Sequence, residues 1–186
     1  GRPRYARTSP GATASYSPSS LRTRAPSSRP PFVSDALPPA TWHRDGFTVT
    51  TDRTRFDVAA MQAFLATESY WKRGVPLDIV QRAADGSLCF GLFDENDGGR
   101  QVGGARCVTD TATFAYLADV YILDVYRGRG LGQWLMRCIL DHPGLQDVTR
   151  WLLTTQDAHA FYEQVGFERV PFPERFMAVL KPDPWA

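Results

Sequence analysis

The chain has 186 residues, 43% of them hydrophobic, with five Trp and eleven Phe to bury and a formal net charge of +1; that length and apolar fraction suit one globular domain plus an extra segment. No apolar run reaches the roughly 18 residues that a membrane-crossing helix needs, no apolar core of a secretory signal follows the basic start, and Cys89, Cys107 and Cys138 are too few and too scattered for a disulfide framework or a zinc site. The charge is uneven: residues 1–45 carry seven Arg and two Asp, and residues 46–186 carry fourteen Lys or Arg against eighteen Asp or Glu. The second part is therefore mildly acidic and lacks the basic face of a nucleic-acid-binding domain. Each cysteine sits in an apolar stretch, which reads as a buried free thiol in a reducing compartment.

Residues 1–45 are rich in Arg, Ser, Pro, Ala and Thr and show no periodicity. Such a segment cannot bury enough apolar surface to offset its ordering entropy, so it reads as a disordered extension. Its Arg-rich, acid-poor start also fits an organelle transit peptide; an inert tail on a cytoplasmic protein ranks above that. The folded domain spans 46–186. Phe47, Val49 and Thr51 alternate with polar residues and predict a strand. Phe56, Ala59, Ala60, Phe64 and Leu65 recur at helical spacing. A linker over 69–76 leads to a second short helix over 77–84, and Asp85-Gly86 marks a turn. Residues 88–93 and 101–108 read as a strand pair around the Asp97-Gly98-Gly99 loop, and 113–125 as a long apolar strand. A helix over 130–140 carries Leu131, Trp134, Leu135, Cys138 and Ile139 on one face. Further strands are expected at 151–154, 167–170 and 176–180, with a helix over 158–165 between the first two. This order fits an α+β or mixed α/β fold with one central sheet.

The glycine loop carries the strongest signal. An apolar strand, Tyr121-Ile122-Leu123, runs into Arg127-Gly128-Arg129-Gly130-Leu131-Gly132, and an amphipathic helix follows at once. That arrangement aims several backbone N–H groups and a positive helix end at one spot. Glycines allow close approach of the backbone, and arginines add charge-assisted donors, so the loop reads as a phosphate or pyrophosphate cradle. The dinucleotide fingerprint fails because Gln133 stands at its third glycine, and the P-loop fails at Gly132-Gln133-Trp134. What remains is Arg-x-x-Gly-x-Gly, formed by Arg127, Gly130 and Gly132.

That motif resembles the pyrophosphate loop of the GNAT superfamily of N-acetyltransferases. A second motif accompanies it: Ala158, then Tyr162, then Gly166-Phe167. The two are separated by about one helix and one strand, as in that superfamily, and the resemblance covers roughly residues 46–181. Tyr70-Trp71 before a Gly-x-Pro, with Asp157-Ala158-His159, is similar to a group of small members. One departure is Thr155, where the superfamily often has Asn.

The resemblance implies a GNAT-like α/β (α+β) fold: a single central mixed, mostly antiparallel sheet with splayed middle strands, flanked by helices. It implies acetyl-CoA as co-substrate, held by the strand edge Tyr121, Ile122 and Leu123 and by the amides of Arg127, Gly128, Arg129, Gly130, Leu131 and Gly132. It implies a primary amine attacking the thioester directly. Such an amine has a pKa near 10.4 and must lose a proton, and the departing thiolate, of pKa near 8.5, benefits from a donor. Tyr162 is the expected donor. Asp119 is a candidate base, through a water, or else a holder of a cationic amine, or structural; His159 is read as exposed. Tyr70, Trp71, Asp110, Phe114 and Tyr116 are the expected acceptor contacts, and their rings suit an alkyl amine or a cation–π contact. A non-catalytic acyl-CoA-binding domain is the rival reading, against which Tyr162 speaks. No metal-ligand spacing is present, no nucleic-acid partner is expected, and a monomer or homodimer is the expected state.

Overall fold

The computed structural model describes residues 37–180. Six strands form one sheet in sequence order: β1 (Thr41–Arg44), β2 (Phe47–Thr50), β3 (Leu88–Asp94), β4 (Arg100–Thr109), β5 (Phe114–Ile122) and β6 (Arg150–Leu152). β1 to β5 pair antiparallel, and β6 joins β5 in parallel. Four α-helices accompany them among the described residues: α1 (Val58–Thr67), α2 (Leu77–Asp85), α3 (Leu131–Leu140) and α4 (His159–Glu163). The mixed, mostly antiparallel sheet flanked by helices is the fold that the motifs implied.

Local chemistry accounts for several boundaries. β1 turns into β2 through Asp45 and Gly46, both with positive φ (49° and 79°), the backbone that a two-residue hairpin turn requires. Thr41–Arg44, assigned from sequence to the extension, therefore belong to the sheet, and Trp42 stacks on Phe90 with ring centroids 6.4 Å apart. Residues 1–36 of that extension lie outside the described residues. Helix α1 starts where the Asp57 side chain accepts from the Ala60 N–H, an N-cap that satisfies one orphan donor. The three cysteines are free and buried, and burial pushes each thiol up to about 12.

Two differences from the sequence expectation concern strands. Residues 167–170 and 176–180 form no strand. Pro171 and Pro173 interrupt that segment and lack the N–H that a ladder needs. Met177 and Val179 remain almost fully exposed. The strand expected at 113–125 stops at Ile122 because Asp124–Tyr126 turns into a short 3-10 segment.

The irregularity that shapes the site lies in β5. Arg106 pairs with Ala118, yet Gly104 pairs with Tyr121, so Asp119 and Val120 together oppose Ala105. This is a β-bulge, and Asp119 adopts φ 54° there, a left-handed conformation that Asp tolerates better than most residues. The bulge exchanges the two faces. Before it, Ala115 and Leu117 pack in the core with Leu135 and Ile139 of α3. After it, Val120 and Ile122 pack against that core, and Tyr121 joins Met61, Phe64 and Leu65 of α1.

Candidate active site

The site is the gap that opens where β6 ends. β5 pairs with β6 only at Phe114, Ala115 and Tyr116. Beyond that point the two strands part, and a cleft of about 850 Å³ runs past Val120, Tyr121 and Ile122 to the glycine loop.

At the end of the cleft Gly128 and Gly130 have φ of 73° and 71°. Left-handed glycines turn successive N–H groups to one side, which makes an anion-binding nest. Helix α3 begins at Leu131, and its first N–H groups have no partner within the helix. The nest and the positive helix end therefore act together on one anion. A Cβ on Gly132 would stand 3.2 Å from the Phe161 ring, so glycine there lets α4 close against the cradle. Of the nine residues expected at the cofactor, Tyr121, Ile122, Arg127, Gly128, Gly130, Leu131 and Gly132 line the cleft. Leu123 and Arg129 do not. Leu123 donates its N–H to Val102, and the Arg129 guanidinium lies 4.8 Å from the Phe47 ring centroid. Arg127 is anchored beside the loop by Asp124, at 2.6 Å.

A second chamber of about 570 Å³ lies on the other side of Tyr162. Tyr70, Trp71, Val120, Asp157, Ala158 and Tyr162 line both spaces. The Tyr162 hydroxyl has no hydrogen-bond partner among the described residues. Burial first, with Tyr70, Asp157 and Tyr116 adding, pushes Tyr162 up to about 12, so it is protonated at neutral pH and can donate. Tyr70 Oη accepts from the Gln156 N–H, which ties the 69–76 linker to the loop before α4. Tyr116 Oη meets Thr154 Oγ1 at 2.8 Å. Thr155 Oγ1 accepts from the Ala158 N–H, so it holds the start of α4.

Asp119 also borders the second chamber. Its Oδ2 receives Lys72 Nζ at 2.7 Å and Arg106 Nε at 2.6 Å, and Trp71 Nε1 donates to Oδ1. Burial alone would raise its pKa, but Arg106 and Lys72 outweigh burial and hold the carboxyl below its usual value. An acid so strengthened is a weak base.

Asp110 and Phe114 line neither chamber. The Asp110 carboxylate instead gathers the Thr113 hydroxyl and the N–H groups of Ala112, Thr113 and Phe114. Those bonds close the β4–β5 turn and hold Asp110 well below the usual carboxylate range. His159 is exposed.

Sequence reading missed three site cations. Arg106 had a legible signal, a charge inside an otherwise apolar strand. Lys72 had none beyond its place in the aromatic linker. Arg44 lay in the segment read as an extension; its Nη2 stands 3.9 Å from where a Gly130 Cβ would be.

Comparisons with known proteins agree with this architecture. Residues 85–169 match the acetyltransferase (GNAT) domain. A Gibberella zeae protein bearing an acetyltransferase name is 34% identical in a match of 150 residues that covers 70% of this chain and 84% of that one. The crystal structure of a GNAT-family chain from Xanthomonas campestris is similar at 40% identity and TM-score 0.72, over 77% of this chain and 99% of that one. A Staphylococcus aureus structure, 22% identical with TM-score 0.55 over 73% of this chain and 98% of that one, is a likeness of fold alone.

Proposed function

This chain belongs to the GNAT family of acetyltransferases, and we propose that it transfers an acetyl group from acetyl-CoA to the primary amine of a small acceptor. The observation that carries the reading is the cleft between β5 and β6, lined both by a glycine nest and by Tyr162, whose hydroxyl has no partner among the described residues. The cleft volume suits a ligand of this size. Tyr121 and Ile122 would flank the pantetheine arm, and the N–H groups from Gly128 into α3 would take the pyrophosphate.

Direct attack needs no enzyme nucleophile. No cysteine lines either chamber, and all three thiols are held protonated by burial. The amine lone pair forms the new N–C bond, the C–S bond breaks, and sulfur leaves as thiolate. Tyr162 donates to that sulfur. Its pKa of about 12 lies above that of an ordinary thiol, near 8.5, so its contribution is a hydrogen bond to the developing charge rather than a completed proton transfer. The amine proton leaves through water at the mouth, where the exposed carboxylates of Asp157 and Glu68 stand. Asp119 supplies fixed charge that positions Lys72, Arg106 and Trp71.

Incubation with acetyl-CoA and a panel of primary amines tests this reading. The expected result is amine-dependent release of free thiol with an N-acetylated product by mass spectrometry. Acetyl-CoA turnover that yields an acetylated protein residue as an obligatory intermediate would replace direct attack by a two-step route.

A further inference from the structure

The charge in the second chamber is arranged for more than an amine. Asp119, its side chain 2% exposed, holds two cations on one oxygen, which leaves the cluster one positive charge in excess. Arg106 is only 7% exposed. Its Nε and Nη1 donate to Asp119, to the Ala83 carbonyl and to Ser87 Oγ, while its Nη2 has no partner among the described residues. Lys72 Nζ bonds Asp119 alone. Both cations line the second chamber and neither lines the acetyl-CoA cleft. Donors that face the chamber with no protein partner are open to an anionic ligand, which would make charge-assisted bonds with them.

Besides Asp119, the negative groups on the two spaces are Asp157 and Glu68. Asp157 lines both spaces beside Tyr162, and Glu68 lines only the acetyl-CoA cleft. The phenols of Tyr70, Tyr116 and Tyr162 add to the polar lining of the second chamber. The chamber thus carries a cationic pair, Lys72 and Arg106, that the acetyl-CoA cleft lacks, and an acidic group, Asp157, among the residues shared by both spaces.

We propose that the acceptor is a small amine that also carries an anionic group, a carboxylate or a phosphate, which Lys72 and Arg106 bind while its amine is presented beside Tyr162. This assignment rests on the acetyltransferase reading of the same site. Guanidinium and ammonium donors to such anions make short, charge-assisted bonds, and the planar fork of Arg suits carboxylate and phosphate alike. A chamber of about 570 Å³ accepts a small molecule of this kind.

The test compares matched acceptors: propylamine with β-alanine, and ethanolamine with phosphoethanolamine, each read as kcat/KM by thiol release. Lys72→Met and Lys72→Arg are measured alongside, after thermal unfolding and acetyl-CoA titration have established that each variant folds. The unmodified protein should prefer at least one anionic member by about tenfold or more, the factor expected for a charge-assisted hydrogen bond. The identity of the favoured pair separates carboxylate from phosphate. Lys72→Met should reduce that preference by about tenfold, through the KM of the anionic acceptor, and Lys72→Arg should restore much of it. Equal or better use of the neutral amines overturns the inference and leaves acetyl transfer standing, as does acetyl-CoA binding with no turnover of any anionic amine. A preference untouched by Lys72→Met overturns the assignment of its source. Absence of both acetyl-CoA binding and thiol release overturns the acetyltransferase reading itself.

Discussion

Tyr162→Phe should lower kcat by about a hundredfold while leaving the dissociation constant of acetyl-CoA nearly unchanged. Tyr162 borders both the cleft and the second chamber, and its hydroxyl is bonded to nothing among the described residues, so removing it breaks no structural contact. The ring contacts remain: Phe161 at 5.0 Å and Phe167 at 5.9 Å between centroids hold the aromatic face in place. An interaction made only as negative charge develops on sulfur affects kcat and kcat/KM together, whereas a packing role would affect stability. With its pKa pushed up to about 12, Tyr162 contributes no basic limb to the pH–rate profile until well above neutral pH. Steady-state kinetics, with calorimetry of acetyl-CoA binding, separate the two roles. An unchanged kcat would return Tyr162 to the core.

Asp119→Ala should cost roughly 3–5 kcal/mol of stability, because it strands Arg106 and Lys72 without their counter-charge. Ala would also have to adopt the φ of 54° found there, an added strain. Asp119→Asn avoids that strain and isolates the charge. The pH dependence follows from the direction of the shift. Asp119 has a folded pKa below its ordinary value of 3.8, so its contribution is complete above the unfolded pKa, near 3.9, and is lost as pH falls through the lower folded value. Denaturant unfolding at neutral pH and at acid pH should show the gap between the unmodified protein and Asp119→Asn narrowing toward acid. A gap that stays constant would mean that Asp119 acts through shape and not through charge.

The site was legible in the sequence where chemistry is carried by local backbone. The Arg127–Gly132 motif specifies a nest because glycines at Gly128 and Gly130 adopt positive φ, and the helix start at Leu131 follows directly from the strand before it. The family resemblance implied splayed middle strands, but the position of the β5 bulge was not legible from periodicity, because apolar side chains fall on both faces from Phe114 to Ile122. The acceptor residues divided as well. Tyr70 and Trp71 reach the chamber from a loop, but Asp110 and Phe114, near in sequence to Tyr116, lie at the far turn of the hairpin, where Asp110 closes the backbone on itself. Arg106 and Lys72 come from distant segments and meet only because both pair with Asp119. The late strands failed because apolar residues such as Val179 suit a strand only where a neighbour offers unpaired backbone, and Pro171 and Pro173 interrupt the approach.

The glycine nest is the proposed seat of the acetyl-CoA pyrophosphate. Calorimetric titration of acetyl-CoA into the unmodified protein, Gly128→Asn and Gly128→Asp tests it most directly. A side chain at Gly128 meets nothing within 4 Å, and its φ is 73°; Asn and Asp enter that left-handed conformation with similar strain and differ in one negative charge. The unmodified protein should bind, Asn should cause a modest loss, and Asp at least a further tenfold loss, as expected for a charge placed against a phosphate. Equal affinity for the Asn and Asp variants, or no binding to the unmodified protein, would contradict that assignment.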